Sequence, residues 1–388
     1  MYFRNIIGQK NIIEALLASV RQQKIPHAQL FSGTEGAGGL PLAYAYARYI
    51  CCTSPGETDA CGMCASCKKF DAYVHPDVHA IFPIHKPDSK KSWICDDFLK
   101  DWRNQLVESP YFSYANWMNR LRADNAQGMI YAEESDVIIR KLSLKSYEST
   151  HKIVIIWMPE KMNISCSNKL LKLLEEPPAN TLFLLVSPQP DRLLSTILSR
   201  TQRIHIPGID KASITTALQR QFNQSNAEEI DTCARLAKGS FTKAVECIQN
   251  AEASNPYLDP FVRIMRGAYT IANFSPEKRI EKQKALKEMK LWAEEMARMG
   301  REQEKQYLSY AQHMIRENYI RNINQPQLSY LNASEAVFSN KFFPFIHFNN
   351  IEGFMEELQL AERQIENNVN AKLVFFDLAL QTILLLKK

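Results

Sequence analysis

Cys52, Cys61, Cys64 and Cys67 carry the most specific chemical signal in this 388-residue sequence. Eight residues separate the first from the second, and two separate each later pair. Four thiolates can close a tetrahedral Zn²⁺ shell, and two-residue gaps let one turn present successive sulfurs to one ion. The competing readings are unligated thiols in a surface loop and an iron–sulfur cluster, which also takes four thiolates. Cys51 adjoins Cys52, and His75 lies downstream, so either could replace one ligand. Four protein ligands leave no open position, so a metal here is expected to be structural. Cys95, Cys166, Cys233 and Cys247 stand alone and read as ordinary half-buried thiols.

A second constellation is Gly33-Thr34-Glu35-Gly36-Ala37-Gly38-Gly39-Leu40. A phosphate loop needs Gly, four residues, Gly, then Lys and a hydroxyl residue. Gly33 and Gly38 fill the glycine positions, with Gly36 and Gly39 adding freedom. Gly39 stands where Lys would meet the β/γ-phosphates, and Leu40 where a hydroxyl would hold Mg²⁺. The later run Ile153-Val154-Ile155-Ile156-Trp157-Met158 reads as a strand. In a nucleotide hydrolase of this layout an acidic pair would end it, and Trp157 and Met158 sit there instead. Glu160, just beyond, reads as a surface loop acid.

A third is Ser199-Arg200-Thr201, after Thr196-Ile197-Leu198. An arginine at the end of a surface turn can stabilise developing charge on a neighbour's phosphate. Taken alone it reads as a solvated arginine, and Arg192 and Arg203 are equally basic neighbours.

The elements that would position these residues alternate. Residues 5–24 have helical apolar spacing, Ala28–Phe31 is a short strand, and a second helix runs to about residue 51. Val78–Phe82 reads as a strand. Residues 83–130 are polar and aromatic, with Trp93, Trp102 and Trp117, and read as an insertion with short helical patterns. Asp136–Leu144 and Ser165–Glu176 read as helices, the second stopped by Pro177-Pro178. Lys152–Met158, Thr181–Val186 and Arg203–Ile206 read as strands. This alternation predicts a mainly parallel sheet covered on both faces. Beyond Pro207-Gly208 the strands stop. Residues 210–250 give two or three short helices, and the chain is helical from Asn255-Pro256 onward. Leu286, Met289, Trp292, Met296 and Met299 form one apolar stripe, and Leu358, Ala361, Ile365, Val369, Leu373, Phe376 and Leu380 another.

With 45% hydrophobic and 23% charged residues, the chain reads as an ordinary globular protein of two or three domains. A net charge of +5 permits contact with nucleic acid without arguing for it. No run of 18 apolar residues is present, and the start Met1-Tyr2-Phe3-Arg4-Asn5 has no apolar signal core. A cytoplasmic location with no membrane partner is therefore expected, with all nine cysteines reduced.

In order, these pieces resemble the δ′ family of subunits of the bacterial DNA polymerase III clamp loader, within the AAA+ class. The similar stretches are His27–Phe31 with the glycine loop, Arg48-Tyr49-Ile50-Cys51-Cys52, the cysteine cluster, His75-Pro76-Asp77, Ser167–Pro178 with its Leu-Leu-Lys-Leu-Leu-Glu-Glu-Pro-Pro run, and Thr196–Arg200. The resemblance covers 1–207 well. It is thin over 208–388, where the best piece is Asn370-Ala371-Lys372-Leu373. The motor subunits γ and τ carry Lys-Ser/Thr in the loop, an Asp-Glu pair on the later strand and a second arginine where Thr242 stands here. The family's Ser-Arg-Cys reads Ser199-Arg200-Thr201, which keeps the arginine. The 83–130 insertion has no counterpart in the family pattern.

The resemblance implies an α/β domain of the AAA+ phosphate-loop type over 1–207, with a zinc module at 52–67 and the insertion at about 83–130. A helical lid over 208–253 and an all-α collar over 254–388 would follow. It implies a subunit without ATPase activity of its own and without a functional ATP site, in a pentameric ring with γ/τ and δ. That ring would load a sliding clamp onto primed DNA in replication, as part of the DNA polymerase III holoenzyme. Arg200, helped by Ser199, would serve a neighbour's ATP site, zinc would be structural, and DNA contact would be weak and through phosphates. Two alternatives remain. One is an active AAA+ ATPase in which Lys10 or Lys161 replaces the missing Lys, and the other is a zinc-dependent nucleic-acid-binding module.

Overall fold

The computed structural model describes residues 1–87, 92–122, 127–223, 226–249, 255–273, 279–325 and 328–387. Parts of three expected segments lie outside these: 88–91 and 123–126 of the insertion, 224–225 and 250–253 of the lid, and 254, 274–278, 326–327 and 388 of the collar. The described chain divides into two compact units, Met1–Ile248 and Gln249–Lys388.

In the first unit a 3₁₀ turn, Phe3–Asn5, precedes α1 (Lys10–Arg21). The helix expected from residue 5 starts later because Gly8 and Gln9 both take positive φ, +66° and +60°. Then follow β1 (Ala28–Gly33), α2 (Gly39–Cys51), α3 (Ala65–Asp71), β2 (Val78–Ile81), α4 (Leu99–Glu108), α5 (Tyr114–Arg120), α6 (Ala132–Ser143), β3 (Lys152–Trp157), α7 (Ile164–Glu175), β4 (Thr181–Ser187), α8 (Ser195–Leu198) and β5 (Gln202–Ile206). Three more helices, α9 (Lys211–Gln221), α10 (Ala227–Leu236) and α11 (Phe241–Gln249), close the series.

The five strands form one parallel sheet in the order β2-β3-β4-β1-β5. β3 and β4 are buried along their whole length, which is why they read as unbroken apolar runs. β1 sits between β4 and β5, with Gln29 opposite Leu184 on one side and Gln202 on the other. The main core gathers on this sheet, and a smaller one joins Ile209 and residues Ile214, Leu218, Ile230 and Phe241 of the three following helices to Tyr111.

The insertion is a closed excursion. Ile84 and Met129 exchange both backbone hydrogen bonds at 3.0 and 2.9 Å, so it leaves and returns at one place. Trp102 and Trp117 are core residues, while Trp93 is half-buried against that core. Trp102 stacks on Phe82 at 4.1 Å and donates to Tyr44 Oη, while Trp117 donates to the Pro83 carbonyl. Indoles buried with their N–H satisfied bring large apolar area without a polar penalty.

Four cysteines differ from their reading as lone half-buried thiols. Cys95 and Cys166 are fully buried. Cys233 of α10 and Cys247 of α11 are paired as a disulfide, their Cα atoms 5.6 Å apart. The pairing spans 14 residues, a separation that carried no signal in the sequence.

The second unit is helical: α12 (Leu258–Ala272), α13 (Arg279–Met296), α14 (Arg301–Asn322), α15 (Ala333–Phe342), α16 (Phe348–Glu366) and α17 (Ala371–Leu385). Met289, Trp292 and Met296 are buried as the first stripe requires, while Leu286 is 37% exposed. The second stripe breaks. It assumed one phase from Leu358 to Leu380, but Asn368 takes φ +63° and Asn370 caps a new helix, accepting from Lys372 N. The phase is reset. Leu358, Ala361 and Ile365 are buried, whereas Leu373, Phe376 and Leu380 are exposed and α17 buries Val374, Phe375, Leu378, Ala379 and Ile383 instead. Phe375→Ala should therefore cost about 3–5 kcal/mol in chemical denaturation. Leu373→Ala, two residues away, should change stability by less than about 0.5 kcal/mol.

Candidate functional site

The four cysteines converge. Cys52 follows the end of α2, Cys61 lies in the loop, Cys64 caps α3 and Cys67 is inside it. All four Sγ atoms lie within 4.8 Å of one another, with Cys52–Cys64 at 4.0 Å and Cys61–Cys67 at 3.9 Å. A tetrahedron with Zn–S bonds of about 2.3 Å has edges of about 3.8 Å. The cluster thus has the dimensions to hold a metal such as zinc. Backbone N–H groups point at the sulfurs: Cys61 N to Cys52 Sγ, Met63 N and Cys64 N to Cys61 Sγ, and Cys67 N to Cys64 Sγ, all at 3.3–3.4 Å. The N–H groups of Cys64 and Met63 draw the Cys61 thiol downward, while burial pushes Cys52 up to about 12.

Neither alternative ligand joins them. Cys51 points to Ser149 Oγ at 3.2 Å, and His75 packs on Phe70 with its Nδ1 accepting from Asp77 N. The module is held down by Arg48, whose importance the sequence did not reveal. This guanidinium is fully buried, and its Nη2 donates to Cys67 O, Asp71 Oδ1 and Tyr2 Oη at 2.6–2.7 Å while stacking over the Tyr2 ring. Asp77, in turn, accepts the N–H groups of Tyr147, Glu148 and Ser149.

The glycine loop joins β1 to α2 as expected, with Gly36 at φ +82° and Gly38 at φ +99°. Its surroundings are crowded. Phe241 N donates to Gly36 O, and a Cβ on Gly36 would lie 2.2 Å from Ser240 Oγ and 2.9 Å from Thr242 Oγ1. From the insertion, the Tyr111 ring rests on Gly38, its hydroxyl accepts from Ile7 N at 2.9 Å, and its edge meets Phe241 at 5.3 Å. Phe112 packs on Trp157 at 5.1 Å. Glu35 Oε1 accepts from Tyr114 N, and burial raises its carboxyl. About 40 Å³ of space remains between Gly33–Pro41, Pro110–Phe112, Trp157 and Val186. That is room for a few waters. Lys161, offered as a substitute for the missing loop lysine, lies over the Tyr114 ring at 4.5 Å.

Glu160 is not a surface acid. It is half-buried at the carboxyl ends of β3 and β4, accepts from Ser187 Oγ at 2.7 Å, and burial pushes it up to about 7. Arg200 lies at the other end of the sheet. It follows α8, with Nη1 on Thr196 O at 2.9 Å and Nη2 on Glu175 Oε1 at 2.5 Å, its side chain one-third exposed. Ser199 Oγ donates to Thr196 O. Gln202 pairs with Gln29, four residues before Gly33. The loop therefore lies a further ~13 Å along the strands, at about 3.3 Å per residue.

The family described as "DNA polymerase III, delta subunit" matches residues 8–210, just over half of the chain. The chain belongs to that family. Relatives include DNA polymerase III subunit delta′ of Bacillus subtilis strain 168, 28% identical over 55% of this chain and 52% of its own length. Subunit delta′ of Pseudomonas aeruginosa is 28% identical over 55% and 53%. Subunit tau/gamma of Haemophilus influenzae is 25% identical over 65% of this chain and 31% of its own. The chain thus spans about half or less of these curated relatives. Among solved structures, a DNA polymerase III gamma subunit-related protein of Thermotoga maritima is 14% identical with a TM-score of 0.36, covering 95% of this chain and 98% of its own. The five-stranded parallel sheet with its flanking helices is the α/β architecture expected for the first unit.

Two measurements probe this region. Chain purified with zinc should carry about one ion, Cys61→Ser should lose it, and Cys51→Ser should keep it by metal analysis. A carboxyl raised from 4.5 to about 7 stays protonated in the fold; the stability linked to it is present below pH 4.5 and lost as pH rises to about 7. Glu160→Gln should therefore flatten the denaturation profile between these values and add about 1–2 kcal/mol at pH 8, allowing for its partial exposure.

Proposed function

We propose that this chain is a non-hydrolysing stator subunit, of the delta′ kind, in a DNA polymerase III clamp loader. The observation that carries the reading is the loop: it keeps the glycine turn but has Gly39 and Leu40 where Lys and a hydroxyl would act. The absence of an acidic pair at Trp157-Met158 and of an arginine at Thr242 supports it. A site lacking all three parts has no means of holding Mg²⁺ or neutralising the γ-phosphate.

In this reading the partners are the motor subunits gamma/tau and the delta subunit, in a five-membered ring. Residues 1–207 form the AAA+ domain, 208–253 the lid and 254–388 the collar that assembles the ring. The assembly opens a sliding clamp and places it on primed DNA, in the cytoplasm. No helix among the described residues is long and apolar enough to cross a membrane. The metal held by Cys52, Cys61, Cys64 and Cys67 is zinc and structural.

Arg200 acts in trans. It is too far along the strands to serve its own loop, it is partly exposed, and its guanidinium is a fixed fork suited to phosphate oxygens. Ser199 shapes the turn that presents it. Glu175 would be exchanged for the neighbour's phosphate when the subunits meet.

An active ATPase has one observation in its favour, the matches to tau and gamma subunits. Tight Mg²⁺-ATP binding by the isolated chain would establish it. For the stator, the test is reconstitution with gamma/tau, delta and the clamp. Arg200→Ala should leave the ring assembled but slow hydrolysis at the adjoining site by about 10³-fold, the lower range for arginine fingers. Unchanged ATPase and clamp loading would remove the trans role.

A further inference from the structure

We infer that Tyr111, carried by the insertion, is a built-in surrogate for the nucleotide, holding the loop and the following helical segment together without a ligand. The inference rests on reading the cradle as one that has lost its ATP chemistry. A nucleotide in such a cradle lies against the loop backbone and the helix N-terminus, and joins them to whatever covers it. Here one side chain makes those connections. The Tyr111 ring lies 3.3 Å from where a Cβ on Gly38 would be, its edge meets Phe241 at the start of α11, and its hydroxyl accepts from Ile7 N ahead of α1. It is buried among Ile209, Ile214 and Phe241, the core of the 209–248 helices, although it comes from a distant part of the chain.

Neighbouring contacts reinforce the bridge. Phe112 fills the space beside Trp157, Glu35 of the loop accepts from Tyr114 N, and Phe241 N donates to Gly36 O. The insertion can hold this position because its ends are pinned at Ile84 and Met129 and its Trp102 and Trp117 are buried. A diffusible ligand shifts an equilibrium only in proportion to its occupancy and its differential affinity. An occupant on the same chain has a high effective concentration at all times. The arrangement of α9–α11 on the sheet would thus stay constant while neighbouring subunits bind and release ATP.

Hydrogen exchange followed by mass spectrometry on the full chain tests this without nucleotide. Tyr111→Leu keeps apolar volume and removes the ring and hydroxyl. Exchange in 33–42 and in 239–246 should rise together by about tenfold or more, with β3 and β4 still protected. Wild-type exchange at 239–246 in that variant would overturn the inference. Tyr111→Phe is the milder control. It should speed exchange at Ile7 alone and leave 239–246 protected, because the ring remains; loss of protection at 239–246 there would show that the ring is not the bridge. In the wild-type chain, millimolar Mg²⁺-ATP should leave protection of 239–246 unchanged, and a change would overturn the surrogate role. ATP hydrolysis by the wild-type chain would overturn the stator reading instead, while the nucleotide-free comparison would still decide the bridge.

Discussion

The turn from β1 into α2 is the constraint on which the rest of the first unit depends. A Cβ on Gly33 would lie 2.2 Å from the Ile206 carbonyl, and one on Gly36 2.2 Å from Ser240 Oγ. The chain there must also take left-handed φ at Gly36 and Gly38. Sheet edge, loop and the start of α11 can approach only because these positions have no side chains. Packing alone is therefore enough to keep the glycines, whatever has become of the phosphate chemistry. The absence of lysine at position 39 and the presence of glycines at 33, 36 and 38 answer to different forces. One concerns charge neutralisation, the other steric access.

The apolar end of β3 and the insertion make sense only together. Trp157 packs on Trp102 and Phe112, and Trp102 packs in turn on Phe82 and Trp117. A carboxylate at position 157 would be desolvated inside that cluster, at a cost no ring can offset. Glu160 shows the penalty on a smaller scale. It is three residues further on, less deeply enclosed and helped by Ser187, yet burial still raises it to about 7. An acidic pair and an aromatic insertion are thus physically incompatible neighbours at this strand end.

Much of the sheet was legible because parallel strands buried on both faces must be continuously apolar, as β3 and β4 are. The cysteine spacing was equally readable, since a metal shell restricts which gaps work. Arg48 was not readable, because a buried guanidinium depends on acceptors from Met1, Tyr2, Cys67 and Asp71, which converge only in the fold. Tyr111 was hidden for the same reason: Ile7, Gly38 and Phe241 are scattered along the chain. The phase of α17 escaped because an apolar stripe at three-and-four spacing looks identical on one helix or on two, and only the left-handed Asn368 separates them.

Strand direction divides the first unit into two ends with different chemistry. At the carboxyl ends of β1 and β3 lie the glycine loop, Tyr111, Phe112 and Trp157, with only about 40 Å³ left between them. At the amino end of β5 lies Arg200, one-third exposed and held by a single carboxylate, Glu175, that is itself about half exposed. A surface ion pair of this kind is worth about 0–1 kcal/mol, so it orients the guanidinium without trapping it. A phosphate dianion in a site shielded from water would outcompete that carboxylate, since charge-assisted bonds to phosphate strengthen as water is excluded. In the proposed reading the two ends would have opposite requirements. The first would need nothing diffusible, and the second would be available because its present partner is weak.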